Sequence, residues 1–135
     1  MPPLERGRVE AWVRATAACY GFATGEMNYI FCSDERILEV NRQFLSHDYY
    51  TDIITFDYST PATVSGDIYI SLDTVRSNAE QFAAPYEREL LRVIIHGLLH
   101  LTGQNDKTPE TEAEMHRKED LALSAWDNNE TAKLK

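Results

Sequence analysis

The chain has 135 residues, of which 43% are hydrophobic and 26% are charged, and its formal net charge is −9. This length predicts one domain, spanning residues 1–135, that is large enough to form its own hydrophobic core. No apolar run reaches the roughly 18 residues of a membrane span, and the first residues lack the apolar stretch of a signal peptide. We therefore expect a cytoplasmic protein that does not contact membranes. The acidic charge argues against broad, nonspecific nucleic-acid binding but leaves room for a local basic cleft.

The two cysteines, Cys19 and Cys32, have neither the spacing of a zinc knuckle nor the density of a disulfide scaffold. We expect both to be reduced and buried as small hydrophobic side chains. Much of the acidic excess lies near the C-terminal end, where a solvated helix face is the simplest interpretation. Its members are Glu110, Glu112, Glu114, Glu119 and Asp120.

In the first part of the chain, helix and strand signals alternate. Apolar side chains recur at helical spacing over residues 5–20, and Gly21 follows as a stop signal. The aromatic and β-branched segment 27–33 predicts a strand, after which Ser33 can cap a second helix. The core side of this helix is predicted to carry Ile37, Val40 and Phe44.

The central part of the chain predicts a β-hairpin. Residues 51–58 and 66–71 have the composition of strands, and residues 59–65 have that of a connecting loop. Ser71 is then a suitable N-cap for a third helix.

Two further helices follow. The fourth, over about residues 86–102 with Pro85 in its first turn, is apolar nearly all round and should lie in the protein centre. Thr108 and Pro109 signal the start of a last helix that ends near residue 126. The pattern predicts an α+β fold in which a small mixed sheet packs with about five helices.

The fourth helix carries two histidines, His96 and His100, in the segment "HGLLHLTGQND". Side chains four residues apart lie one helical turn apart on the same face, so both imidazoles could bind one ion. Two buried imidazoles with no ion would each lose their hydration, whereas neutral imidazoles are good ligands for a divalent metal. We therefore predict a metal site on this helix, as in a zincin.

Gly97 occupies the position where metallopeptidases of the HExxH type place their catalytic glutamate, which weakens a peptidase or amidase interpretation. A glycine within a helix costs about 0.5–1 kcal/mol relative to alanine, so something should compensate. Either another backbone or a substrate approaches the helix closely here, or the helix packs tightly on the sheet.

Asp106 and His116 are the candidates for the third ligand. Gly103 would end the helix and turn the chain back across its face, which brings Asp106 near the two histidines. A His, His, Asp set leaves a fourth position for water, as in open catalytic zinc sites. We favour Asp106, because His116 lies on the acidic last helix, where a solvated side chain is expected.

Three motifs in this order, "TDIITF" at 51–56, "GDIYIS" at 66–71 and "HGLLHLTGQND" at 96–106, resemble the YbeY family of metal-dependent endoribonucleases. The similarity covers roughly residues 34–120. Its metal pattern, His-Gly-x-Leu-His-Leu-x-Gly-x-Asp-His, maps two ligands onto His96 and His100. The third family histidine falls on Asp106, so the resemblance implies a ligand replacement, with one zinc ion as the first choice and nickel or manganese as alternatives.

The resemblance also indicates what a catalytic centre would need. His96 and His100 would act through the water that the metal activates. Asp52 is a candidate for orienting that water or a ligand, and the alternative is a capping or turn role. An arginine that the family uses to engage phosphate falls on Leu45, which has no donor. Possible substitutes are Arg42, His47 and Lys107.

The resemblance implies a single-strand-specific endoribonuclease that acts in 16S rRNA 3′-end maturation and ribosome quality control. Its implied partners are precursor rRNA, the small ribosomal subunit and assembly proteins. The alternative is a ribosome assembly factor with a structural metal and little or no nuclease activity, which the missing arginine and the acidic charge favour.

Overall fold

The fold is built around one apolar helix and a small sheet. The computed structural model describes residues 6–45, 53–104 and 106–128. Its elements are α1 (Arg6–Cys19), β1 (Ala23–Cys32), α2 (Asp34–Leu45), β2 (Ile53–Asp57), β3 (Thr63–Ser71), α3 (Leu72–Gln81), α4 (Tyr86–Leu101) and α5 (Pro109–Asp127). This arrangement confirms the predicted α+β class, with five helices and a mixed sheet. Within the described ranges, no helix is long and apolar enough to cross a membrane.

The sheet has the order β1-β3-β2, with β3 in the centre. β2 and β3 form the predicted antiparallel hairpin, whereas β1 runs parallel to β3. Both β1 and β3 begin earlier than predicted, at Ala23 and Thr63, because these first residues pair with each other and Val64 is fully buried. Local composition around residues 23–26 does not favour a strand, so the extension depends on a partner strand that is distant in sequence.

Both faces of the sheet are covered. Alternate residues of β3, such as Ile68 and Ile70, point into the main core with α4, while Tyr69 packs with the smaller cluster formed by α2. α4 is buried along most of its length, which confirms its predicted central position. Gly97 is where it meets the sheet: a β-carbon there would lie 3.0 Å from Ile53 Cδ1 and 3.1 Å from Ile68 Cγ2. The structure therefore favours tight packing as the reason for this glycine.

Several predictions about individual positions need correction. Cys19 is exposed and Cys32 only half-buried, because Cys19 is the last residue of α1 and Cys32 the last of an edge strand. Pro85 is the N-cap of α4 and not part of its first turn. We predicted that Glu119 lies on a solvated acidic face, but it is one of the most buried residues of α5. Its buried carboxylate contacts His96 of the candidate site.

Candidate metal centre

α4 places His96 and His100 side by side on a face that is only partly covered. Their Nε2 atoms are 2.9 Å apart, and the rings meet edge-to-face with centroids 4.5 Å apart. Because the two residues are one helical turn apart, the helix itself fixes this arrangement. The two imidazole nitrogens therefore converge on one point in space.

The end of α4 brings the third group to the same point. Gly103 has a left-handed φ of 98°, its N–H donates to the carbonyl of His100 at 3.0 Å, and the N–H of Gln104 donates to the carbonyl of Leu99 at 3.1 Å. These two hydrogen bonds form a Schellman motif, in which glycine adopts the left-handed conformation without the strain of a β-carbon. The chain then returns across the helix end and places Asp106 Oδ2 3.7 Å from His96 Nε2 and 3.9 Å from His100 Nε2.

The resulting triangle fits a divalent ion. The ligand atoms of His96, His100 and Asp106 all lie within 4.8 Å of one another. A tetrahedral zinc ion with bonds of about 2.0–2.1 Å separates its donor atoms by roughly 3.3 Å, which lies between the shortest and longest sides of this triangle. Two imidazoles and one carboxylate are also the donor types of open zinc sites. The described part of the chain therefore contains one group of residues that could hold a metal.

Glu119 of α5 fixes the orientation of His96. Its Oε2 lies 2.6 Å from Nδ1 of His96, and its Oε1 accepts a hydrogen bond of 2.8 Å from Arg92. An ionised carboxylate only accepts hydrogen bonds, so Nδ1 of His96 carries a proton, and in the neutral imidazole Nε2 is then the atom that can bind a metal. Carboxylate partners of this kind orient histidine ligands in many metal sites.

Arg92 connects this buried carboxylate to the surface, because its second terminal nitrogen donates to Asp120 at 2.9 Å. The side chain of Glu119 is only 2% exposed. Burial alone would raise the pKa of Glu119, but the hydrogen bonds from His96 and Arg92 outweigh it and hold this pKa below its ordinary value. Glu119 is therefore ionised at neutral pH although it lies in the protein interior.

For His100, burial is the main influence on the pKa. Its burial, reinforced by the neighbouring His96, lowers the pKa of His100 below the ordinary histidine value, although Asp106 acts in the other direction. A neutral imidazole is the form that binds metals. The protein thus keeps this candidate ligand in its metal-binding form.

Comparison with known proteins agrees with this geometry. The family model described as endoribonuclease YbeY matches residues 6–127. The chain belongs to this family. A Phocaeicola vulgatus protein named endoribonuclease YbeY is 60% identical over 92% of this chain and 90% of its own length. The Bacteroides thetaiotaomicron protein of the same name is 58% identical over the same shares. A solution structure of a Thermotoga maritima protein shares the fold, with a TM-score of 0.65 and 27% identity over 93% of this chain and 86% of that one.

Not every predicted site residue reaches the triangle of this YbeY-family chain. His116 is 60% exposed and lies 3.5 Å from Glu119, outside the group of His96, His100 and Asp106. Arg42 and Lys107 are exposed. Asp52, His47 and the side chain of Leu45 lie outside the described part of the chain.

Glu119 and Arg92 were missed in the sequence, although a signal for Glu119 was present. Glu119 follows Met115 by four residues and precedes Ala122 and Leu123 by three and four, so it lies on the apolar stripe of α5. A carboxylate on such a stripe requires a buried partner. Arg92 gave no comparable signal, because an arginine on a helix is usually solvated.

Proposed function

We propose that residues 1–135 form a single domain that acts as a metal-dependent, single-strand-specific endoribonuclease in 16S rRNA 3′-end maturation and ribosome quality control. The observation that carries the proposal is the triangle of His96, His100 and Asp106 in a chain whose relatives are named endoribonuclease YbeY. The proposed partners are precursor rRNA, the small ribosomal subunit and its assembly proteins, in the cytoplasm.

His96, His100 and Asp106 would hold one divalent ion, for which zinc suits the donor set best and nickel or manganese are alternatives. Such an ion supplies a Lewis acid for a phosphoryl oxygen and lowers the pKa of water. Glu119 holds a proton on Nδ1 of His96 and so directs Nε2 toward the ion, and burial keeps His100 neutral. Asp106 adds one negative charge, so this centre attracts phosphate less strongly than a set of three imidazoles would.

The test is cleavage of a single-stranded precursor rRNA fragment by the purified protein, with a fully duplexed fragment as the substrate control. We expect the wild-type protein to cut only the single strand and His100→Ala to lose at least about 100-fold in rate, the order expected for loss of a metal. Glu114→Gln is the control, because Glu114 pairs with Arg117 at the surface of α5 and lies outside both the triangle and the groove. Equal cutting by wild type and His100→Ala would contradict the proposal.

The formal charge of −9 favours a second candidate, a ribosome assembly factor in which the metal is structural. Such a protein would bind the small subunit and retain metal, yet leave the precursor fragment intact. Metal analysis and a small-subunit binding assay, run beside the cleavage assay, separate the two functions. A peptidase is disfavoured, because Gly97 faces the sheet side chains and supplies no general base.

A further inference from the structure

A groove adjoins the candidate metal centre between α4 and α5. It encloses about 520 Å³ and shares His96 and Glu119 with the centre as lining residues. Phe82, from the end of α3, lines the same groove. α4 runs about 15 Å from its first residue to His96, at 1.5 Å per residue. Arg88, near the start of α4, also lines the groove, so the groove extends well beyond the centre.

Phe82 presents an aromatic ring to solvent at the rim of this groove. Its exposed fraction is 66%, the largest of the exposed large hydrophobic side chains in the described part of the chain. The next residue, Ala83, has a left-handed φ of 52°, which is unfavourable for a residue with a β-carbon. The turn is closed by hydrogen bonds from Ala84 N–H to Ala79 O at 2.9 Å and from Ala83 N–H to Glu80 O at 3.2 Å. The turn therefore defines the backbone position from which the ring of Phe82 projects.

The charges of the groove do not favour phosphate. Arg88 and Arg92 line it together with three carboxylates, those of Glu89, Glu119 and Asp120. Both arginines already form ion pairs, Arg88 with Asp127 at 2.5 Å and Arg92 with Glu119 at 2.8 Å. What the groove offers is thus an aromatic face with polar groups beside it, which suits a nucleobase better than a phosphate.

We propose that Phe82 is a stacking platform for one unpaired base of the RNA strand that the metal centre cleaves, at a position outside the cleaved linkage. This rests on the proposed function and names a binding site within it. Stacking on aromatic side chains is a main source of affinity for single-stranded RNA and tolerates different bases. Because both arginines of the groove are already paired with carboxylates, an uncharged stacking contribution suits this groove better than a phosphate contact.

The test is equilibrium binding of a fluorescently labelled single-stranded RNA with phosphorothioate linkages to the metal-loaded protein, followed by anisotropy. A gel after each titration verifies that the RNA is intact. We expect Phe82→Ala to raise the Kd roughly 5- to 150-fold, the range for loss of one stacked base. Phe82→Trp should retain wild-type affinity, and its added fluorescence should be quenched by RNA.

Leu121→Ala is the matched control, since Leu121 is also an exposed hydrophobic residue, at 54%, and does not line the groove. The ratio of the Kd values of Phe82→Ala and wild type should not change with salt, because stacking releases no counterions. An unchanged Kd in Phe82→Ala, or an equal loss in Leu121→Ala, overturns the stacking site.

The failure of this inference can be distinguished from failure of the proposed function. If the wild type cuts single-stranded RNA and Phe82→Ala binds it equally well, only the stacking site is wrong. If the wild type neither binds nor cuts single-stranded RNA, both are wrong. Circular dichroism of each variant verifies that the substitution has not unfolded the protein.

Discussion

At the level of single residues, the hydrogen bond between Glu119 and His96 determines which nitrogen of the imidazole is available. The two atoms are 2.6 Å apart, and Glu119 is braced from its other side by Arg92. Without the carboxylate charge, His96 could adopt the other tautomer, in which Nε2 carries the proton and cannot bind a metal.

We predict that Glu119→Gln weakens zinc binding about 10- to 100-fold, because the amide keeps the size of the side chain but not its charge. Competition with a chromophoric chelator measures this affinity. Glu114→Gln is the control, since Glu114 lies on the same helix and pairs with Arg117 at the surface. Equal zinc affinity in Glu119→Gln and wild type would show that the carboxylate does not orient the ligand.

The lowered pKa of His100 predicts a dependence of stability on pH in the metal-free protein. As the pH falls below about 6.5, the unfolded chain takes up a proton at this position before the folded protein does. The free energy of unfolding should therefore decrease with decreasing pH over this range. Urea unfolding of wild type and His100→Gln between about pH 8 and pH 5 measures the difference. We expect a smaller decrease in His100→Gln than in the wild type.

At the level of elements, α4 both carries the candidate ligands and packs against the sheet at Gly97. Its histidines lie on one side, and on the other Gly97 lets the helix approach the side chains of Ile53 and Ile68. The HxxxH spacing and the approach to the sheet are thus properties of the same helical turn. A larger residue at this position would affect both.

We predict that Gly97→Ala destabilises the protein by about 1 kcal/mol. Overpacking costs about 1–3 kcal/mol, and the gain in helix propensity, about 0.5–1 kcal/mol, offsets only part of it. Urea unfolding measures the change, and Ile53→Val in the same chain should recover part of the loss because it removes the closest atom, Cδ1.

Gly7→Ala in α1 is the matched control, because a β-carbon at Gly7 would meet nothing within 4 Å. That variant should be no less stable than the wild type. A Gly97→Ala protein as stable as Gly7→Ala would show that the approach to the sheet imposes no constraint.

At the level of the whole molecule, the candidate centre lies at the margin of the core. The main core joins α1, β3, α4 and α5 through fully buried residues such as Trp12, Ile68, Leu98 and Leu123. None of the three candidate ligands belongs to this cluster. The fold should therefore form without metal.

We predict that removal of metal by a chelator leaves the far-ultraviolet circular dichroism unchanged but lowers the Tm. Restoring free zinc to 100 times its Kd should add about 2.7 kcal/mol to the free energy of unfolding. A variant with His96→Ala and His100→Ala together should show no such dependence on zinc. Loss of helical signal in the metal-free wild type would mean that the centre is required for folding.

The sequence by itself determined the features that depend on local spacing. His96 and His100 are brought together by helix geometry, Gly103 ends the helix by its left-handed conformation, and alternation in β3 separates the two cores. Residue spacing is sufficient for each of these because the interacting groups are close in sequence.

Only the tertiary structure decided the features that join distant segments. The strand extensions at Ala23 and Thr63 exist because each pairs with the other, 40 positions apart in the register. Glu119 is buried because α5 packs beside α4, where it meets His96 from 23 residues away. The physical reason is that a side chain's charge state and burial depend on the neighbours that folding brings to it, and the chain order does not specify those neighbours.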